Sequence, residues 1–153
     1  MSNKGHSEDY FGDDRNFWWN KDYFDLLATR WRLETRSKLL DVGSGCCHWS
    51  KLFCHYLQHP AQIVALDMDP KWAKGNDSIA HYFAQRETTV TFVQGDAQKL
   101  PFPNDYFDVV TCQTVLMHLK NPAQALQEMK RVLKNDGILI MEAAIIAELE
   151  KRT

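Results

Sequence analysis

The chain has 153 residues, of which 44% are hydrophobic, 12% aromatic and 25% charged, with a formal net charge of -2. That length supports one ordinary domain with its own core, and so apolar a chain with so small a charge is not a disordered one. No run approaches the roughly 20 apolar residues of a membrane helix, no block of Lys or Arg suits nucleic acid, and Met1–Asp9 lacks a signal-peptide core, so the expectation is a soluble, cytoplasmic protein with a small-molecule partner and neither a nucleic acid nor a membrane.

Residues 1–35 form an aromatic-rich N-terminal arm and helix, ahead of a second region over 36–153. Asn20 or Asp22 caps a helix that carries Tyr23, Leu27 and Trp31 on one side. Tyr10, Phe11, Trp18 and Trp19 precede that helix and read as a lid over a pocket. Lys38–Val42 is the first strand, and a turn at Gly43-Ser44-Gly45 leads into a helix with Trp49, Leu52, Phe53, Tyr56 and Leu57 on one stripe. Gln62–Asp67 is the second strand. Pro70 opens a helix that runs through Ala73 to Phe83.

Val90–Val93 and Phe107–Cys112 are the third and fourth strands. Pro122 opens a helix that buries Ala125, Leu126, Met129, Val132 and Leu133, and Asn135-Asp136-Gly137 ends it. The fifth strand, Gly137 to Met141, precedes a short helix over 143–152. Strands alternating with helices need crossover connections, so the fold class is α/β, a doubly wound, mostly parallel sheet with helices on both faces. Cys46, Cys47, Cys54 and Cys112 read as free thiols. The cluster Cys46, Cys47, His48, Cys54 and His55 matches no zinc-ligand spacing, so no metal is expected.

Chemistry begins where the first strand meets the glycines. Gly43 and Gly45 let a ligand approach the backbone closely, and the crevice beyond the strand ends is where doubly wound sheets bind ligands. Asp67 ends the next strand, exposed at its tip, which is the place for a carboxylate to take both hydroxyls of a ribose. A dinucleotide fingerprint would need a third glycine at position 48, where His48 stands instead.

The runs Leu39–Gly45, Val64–Pro70, Gln94–Phe102, Phe107–Gln113, Met117–Pro122 and Glu128–Ile140 together resemble the class I S-adenosylmethionine-dependent methyltransferases, in particular the small-molecule branch of the ubiquinone-biosynthesis type. The resemblance covers residues 35–142 and implies a Rossmann-like domain that binds S-adenosylmethionine and methylates a small-molecule acceptor. By that resemblance Asp41, Gly43, Ser44 and Gly45 line the methionine part of the cofactor. Asp67 holds the ribose, Met68 packs on the adenine, Asp96 and the Ala97 backbone meet its polar edge, and Gln113 sits beside the methyl group.

Where the family's glycine loop usually carries a third glycine, this chain has Cys47. His118, just past the fourth strand, is the candidate general base, set against a plain backbone-bonding role. Two other functions stay open at this point. One is a non-catalytic protein, or a truncated subunit, that binds S-adenosylmethionine or S-adenosylhomocysteine. The other is an NAD-dependent oxidoreductase, which His48 disfavours. The family's sheet usually ends in a strand hairpin beside the fifth strand. This sequence holds no residues for one, so self-association through the fifth strand or the C-terminal helix is expected.

Overall fold

The computed structural model describes residues 19–142. Tyr10, Phe11 and Trp18 of the predicted lid, and the helix predicted over 143–152, lie outside the described residues.

Asn20 starts α1 (Lys21–Arg30), its side-chain oxygen accepting the Tyr23 N–H at 3.0 Å. The buried face of α1 is Phe24 and Ala28, with Trp31 half-buried just beyond; Tyr23, predicted on the same side as Leu27 and Trp31, is 55% exposed. One residue of rotation separates prediction from structure, and aromatic packing decides it. Phe24 meets Phe53, Trp31 and Trp49 edge-on at 5.4–5.9 Å, contacts that a ring at position 23 would not reach.

Five parallel strands follow: β1 (Lys38–Val42), β2 (Ala61–Asp67), β3 (Thr88–Gln94), β4 (Phe107–Gln113) and β5 (Leu133–Glu142). Their order is β3-β2-β1-β4-β5, so β1 is central, and among the described residues β3 and β5 are the edges. Successive β1 side chains supply two cores, as the pleat requires. Leu39 joins Phe24, Phe53, Ile63, Phe83 and Val109 on one face. Leu40 and Val42 join Leu66, Phe107, Val110 and Met129 on the other. A sheet buried on both faces explains why its strands read as near-continuous apolar runs.

The stripe from Trp49 to Leu57 spans more than a helix. α2 is His48–Cys54, and Tyr56 and Leu57 pack from the turn beyond it. The single helix predicted from Pro70 to Phe83 is two: α3 (Pro70–Ala73), capped by Asp69, and α4 (Asp77–Ala84), capped by Asn76. Gly75 divides them with φ +59°, and a Cβ there would lie 2.3 Å from the Phe92 ring.

α5 (Pro122–Val132) ends three residues before the predicted Asn135-Asp136-Gly137 stop and passes straight into β5. Leu133 already pairs with Phe107, while Ile138 pairs with Val109, so the intervening residues of β5 bulge away from the sheet. The Asn-Asp-Gly signal marks that bulge rather than a helix end.

Two polar clamps fix the connections. Asp108, at the start of β4, accepts the Ser37 and Lys38 N–H groups at 3.0 and 2.9 Å and the Lys134 ammonium at 2.6 Å. The β3–β4 connection contains no helix and is held by α5 instead. Arg131 donates to the carbonyls of Leu100 and Phe102, both at 2.8–2.9 Å, and is itself held by Glu128, which also accepts the Leu100 N–H.

Candidate functional site

The carboxyl ends of β1, β2, β3 and β4 bring most of the predicted site residues to one rim of the sheet. Past β1 the chain turns through Gly43 at φ +74°, Gly45 at +50° and Cys47 at +62° before α2 begins. At Gly43 a Cβ would lie 2.3 Å from Val115 Cγ2, so the turn is pressed against the segment after β4 and position 43 requires glycine. The left-handed backbone at Cys47 explains why a glycine would suit this position; an L-residue there costs about 1–2 kcal/mol. The Cys47 thiol is fully buried, and burial pushes its pKa well up, so it is a packed, protonated group. Burial likewise pushes Cys112 up to about 12 and Cys54 up to about 11. All four cysteines are unpaired by disulfides, and the described residues contain no group of three His, Cys, Asp or Glu side chains placed to hold a metal.

The turn's backbone donors are engaged within the protein. Gly43 and Ser44 N–H groups donate to the Leu66 carbonyl at 2.7 and 3.0 Å. The Gly45 N–H donates to Asp67 Oδ2 at 3.0 Å, and the Asp69 N–H donates to Asp67 Oδ1 at 2.9 Å. Asp67 is therefore not the exposed strand-end carboxylate expected from sequence: it is 4% exposed and ties the glycine turn to the β2–α3 turn.

Asp41 is 1% exposed on β1 and accepts the Ser50 hydroxyl of α2, so it braces the helix that follows the turn. Ser44 is buried in the turn. Met68, next to Asp67, is 66% exposed, a large apolar side chain left standing at the rim. Asp96 follows β3, and its Oδ1 accepts the Gln98 N–H at 2.8 Å; Ala97 beside it is buried. The rim of β3 is joined to that of β2 by the Gly95 N–H, which donates to the Asp67 carbonyl at 3.0 Å. Gln113 closes β4 and is 8% exposed.

His118 is exposed at the end of a 3-10 turn over Leu116–His118, with its backbone N–H on the Val115 carbonyl. Trp19, the lid residue that is described, packs its ring 4.9 Å from Trp49 and 5.9 Å from Phe24.

Asp41, Asp67, Asp96 and Gln113 offer acceptor oxygens, with no Lys or Arg among the predicted rim residues. Such a set fits a ligand that is cationic or rich in hydroxyl and amino donors, and it fits S-adenosylmethionine, whose sulfonium, ammonium, ribose and adenine amino group are all of that kind. A dinucleotide's pyrophosphate would meet carboxylates instead of donors.

Glu142 was missed from sequence. It pairs in register with Gln113 at the end of β5 and adds a further carboxylate to the rim. Matching the lengths of neighbouring strands would have found it. A groove of about 460 Å³ is lined by residues of α2, by Trp19 and Tyr82, and by Gln113. A hollow of about 480 Å³ on the sheet, between Gln62, Thr91, Phe102 and Tyr106, touches none of the predicted site residues.

A family model described as "Methyltransferase domain" matches residues 40–141. The chain is 34% identical over 106 residues to the uncharacterized methyltransferase YcgJ of Bacillus subtilis, covering 68% of this chain and 39% of that protein. It is 35% identical over 124 residues to the ubiquinone/menaquinone biosynthesis C-methyltransferase UbiE of Pseudomonas fluorescens, covering 80% of this chain and 46% of that one. The crystal structure of YcgJ superposes with a TM-score of 0.65 at 29% identity, covering 80% of this chain and 50% of the other. The chain thus spans half or less of the length of these relatives. No helix among the described residues is long and apolar enough to cross a membrane.

Proposed function

The chain belongs to the methyltransferase-domain family, and from that premise we propose that it transfers a methyl group from S-adenosylmethionine to a small-molecule acceptor. The observation that carries this reading is the Asp67 carboxylate, which the Gly45 and Asp69 amides hold at the end of β2 beside the glycine turn. Asp67 would take the ribose hydroxyls, Met68 would cover the adenine, and Asp96 with Ala97 would meet its polar edge. Asp41, Gly43, Ser44, Gly45 and Gln113 would surround the methionine end.

When bound, the cofactor supplies a methyl group made electrophilic by its sulfonium. The residues contribute position: the amide-tethered turn and the buried Asp41–Ser50 contact hold the rim rigid before any ligand arrives. Restricting the reactants in this way supplies much of the acceleration in an in-line displacement. Asp41, Asp67 and Asp96 also favour a cationic donor over its neutral product, which helps product leave. His118 would receive a proton where the acceptor must lose one.

Calorimetry with S-adenosylmethionine, S-adenosylhomocysteine and NAD tests the reading, followed by methyl transfer to a panel of small acceptors. Binding of both methionine nucleosides without NAD is expected. Tight binding of NAD with no binding of either methionine nucleoside would overturn it.

A further inference from the structure

The groove along α2 has a chemistry opposite to that of the rim it adjoins. His48, Lys51 and Leu52 of α2 and His55 just after it line the groove, together with Trp19, Trp49 and Tyr82. Among the described residues, its lining includes no Asp or Glu. Two lysines border it, and they differ. Lys21 is already paired with Asp25 at 2.7 Å and is largely in solvent. Lys51 is half-buried, its ammonium 5.2 Å from the centre of the Tyr82 ring, and among the described residues it forms no ion pair with a carboxylate.

An ammonium on a half-buried lysine beside an aromatic ring gains from an anion that arrives with its own apolar body. The volume, about 460 Å³, suits one small molecule. Gln113 at its inner end is also the last residue of β4, on the rim where the cofactor's reactive end is proposed to lie.

We propose that this groove is the methyl acceptor's site and that Lys51 makes it selective for acceptors carrying a carboxylate or similar anion beside an aromatic ring. The acceptor role rests on the methyl-transfer reading above; the anion selectivity does not. Trp19 would hold the ring, Lys51 the anion beside Tyr82, whose ring already carries the Arg86 guanidinium at 3.7 Å, and Gln113 would face the part of the acceptor nearest the rim.

The test uses 2-naphthoate and its neutral counterpart 2-naphthamide, titrated by calorimetry into the full chain and into Lys51→Ala and Lys51→Arg variants. Circular dichroism checks that each variant is folded. Naphthoate should bind the wild type about tenfold or more tighter than the amide, as a charge-assisted contact implies. Lys51→Ala should abolish that preference and Lys51→Arg should keep it. S-adenosylhomocysteine affinity should stay within about twofold when naphthoate is saturating, because the two proposed sites share only Gln113 at their junction. Equal binding of acid and amide, indifference to Lys51→Ala, or competitive displacement of S-adenosylhomocysteine would each overturn the proposal. A wild type that selects naphthoate through Lys51 yet binds no S-adenosylhomocysteine would instead sink the methyl-transfer reading, leaving an anion-selective groove that serves another purpose.

Discussion

Replacing Asp67 with alanine separates two roles that coincide in one carboxylate. The side chain is almost fully buried and accepts the Gly45 and Asp69 N–H groups at 3.0 and 2.9 Å. Without it both amides lose their partner, and each unsatisfied buried donor costs about 1–3 kcal/mol. Asp67→Ala should therefore lower stability by about 2–4 kcal/mol, the lower total allowing for water reaching one amide. Asp67→Asn keeps one acceptor oxygen and should lose about half as much. The ligand effect is separate: losing charge-assisted bonds to ribose should weaken S-adenosylhomocysteine about 10-fold to 100-fold, or 1.5–3 kcal/mol. Urea denaturation gives the first quantity and calorimetry, at a temperature where each variant is folded, gives the second. An alanine variant as stable as wild type would refute the tethering role. A folded variant with unchanged S-adenosylhomocysteine affinity would refute the ribose assignment.

Gly43→Ala should destabilise by about 2–4 kcal/mol through its left-handed backbone and its clash with Val115, and adding Val115→Ala should return the clash portion of about 1–3 kcal/mol in a urea double-mutant cycle. No recovery in the double variant would show that the turn is not pressed on Val115. Burial alone would raise the Asp108 carboxyl, but the Lys134 contact and the Ser37 and Lys38 amides outweigh it and hold its pKa below the ordinary 3.8. A depressed carboxyl contributes stability above its unfolded value and loses it as pH falls through its folded one, so Asp108→Asn should cost about 1–3 kcal/mol at pH 7 and less below pH 3. A gap between the urea midpoints of the two proteins that did not narrow in acid would contradict this. Arg131→Ala should cost about 1–2 kcal/mol and speed amide exchange over 96–106 while leaving β1 protected, because its guanidinium anchors the Leu100 and Phe102 carbonyls. Unchanged exchange over 96–106 would show that α5 does not hold the connection.

Strands were the legible part of this sequence, because a parallel sheet buried on both sides demands unbroken apolar runs. β1 matches its predicted bounds and the other four contain the predicted runs, apart from extensions at their ends. Helix ends were less legible. Trp72, Ala73, Ile79 and Phe83 keep a helical rhythm across Gly75, and the rhythm does not reveal that the backbone turns over there. Leu133 reads as the last apolar residue of α5, yet pairing with Phe107 makes it the first of β5.

At the site, sequence supplied the rim positions through short motifs but not their environments. The burial of Asp67 depends on the amide of Gly45, 22 residues earlier, which no local pattern encodes. The groove was invisible for the same reason: Lys51 and Tyr82 share it only because α2 and α4 pack on the same face of the sheet.

The central place of β1 has a consequence for how the chain is made. Its Lys38 is held on one side by β2, which follows after a single helix, and on the other by Asp108, 70 residues later in the chain. A nascent chain therefore completes the β3-β2-β1 half first and carries Leu39–Val42 with one flank open until β4 leaves the ribosome. Through that interval the middle of the finished sheet is an apolar edge. Until β4 arrives, β1 is the strand most exposed to mispairing.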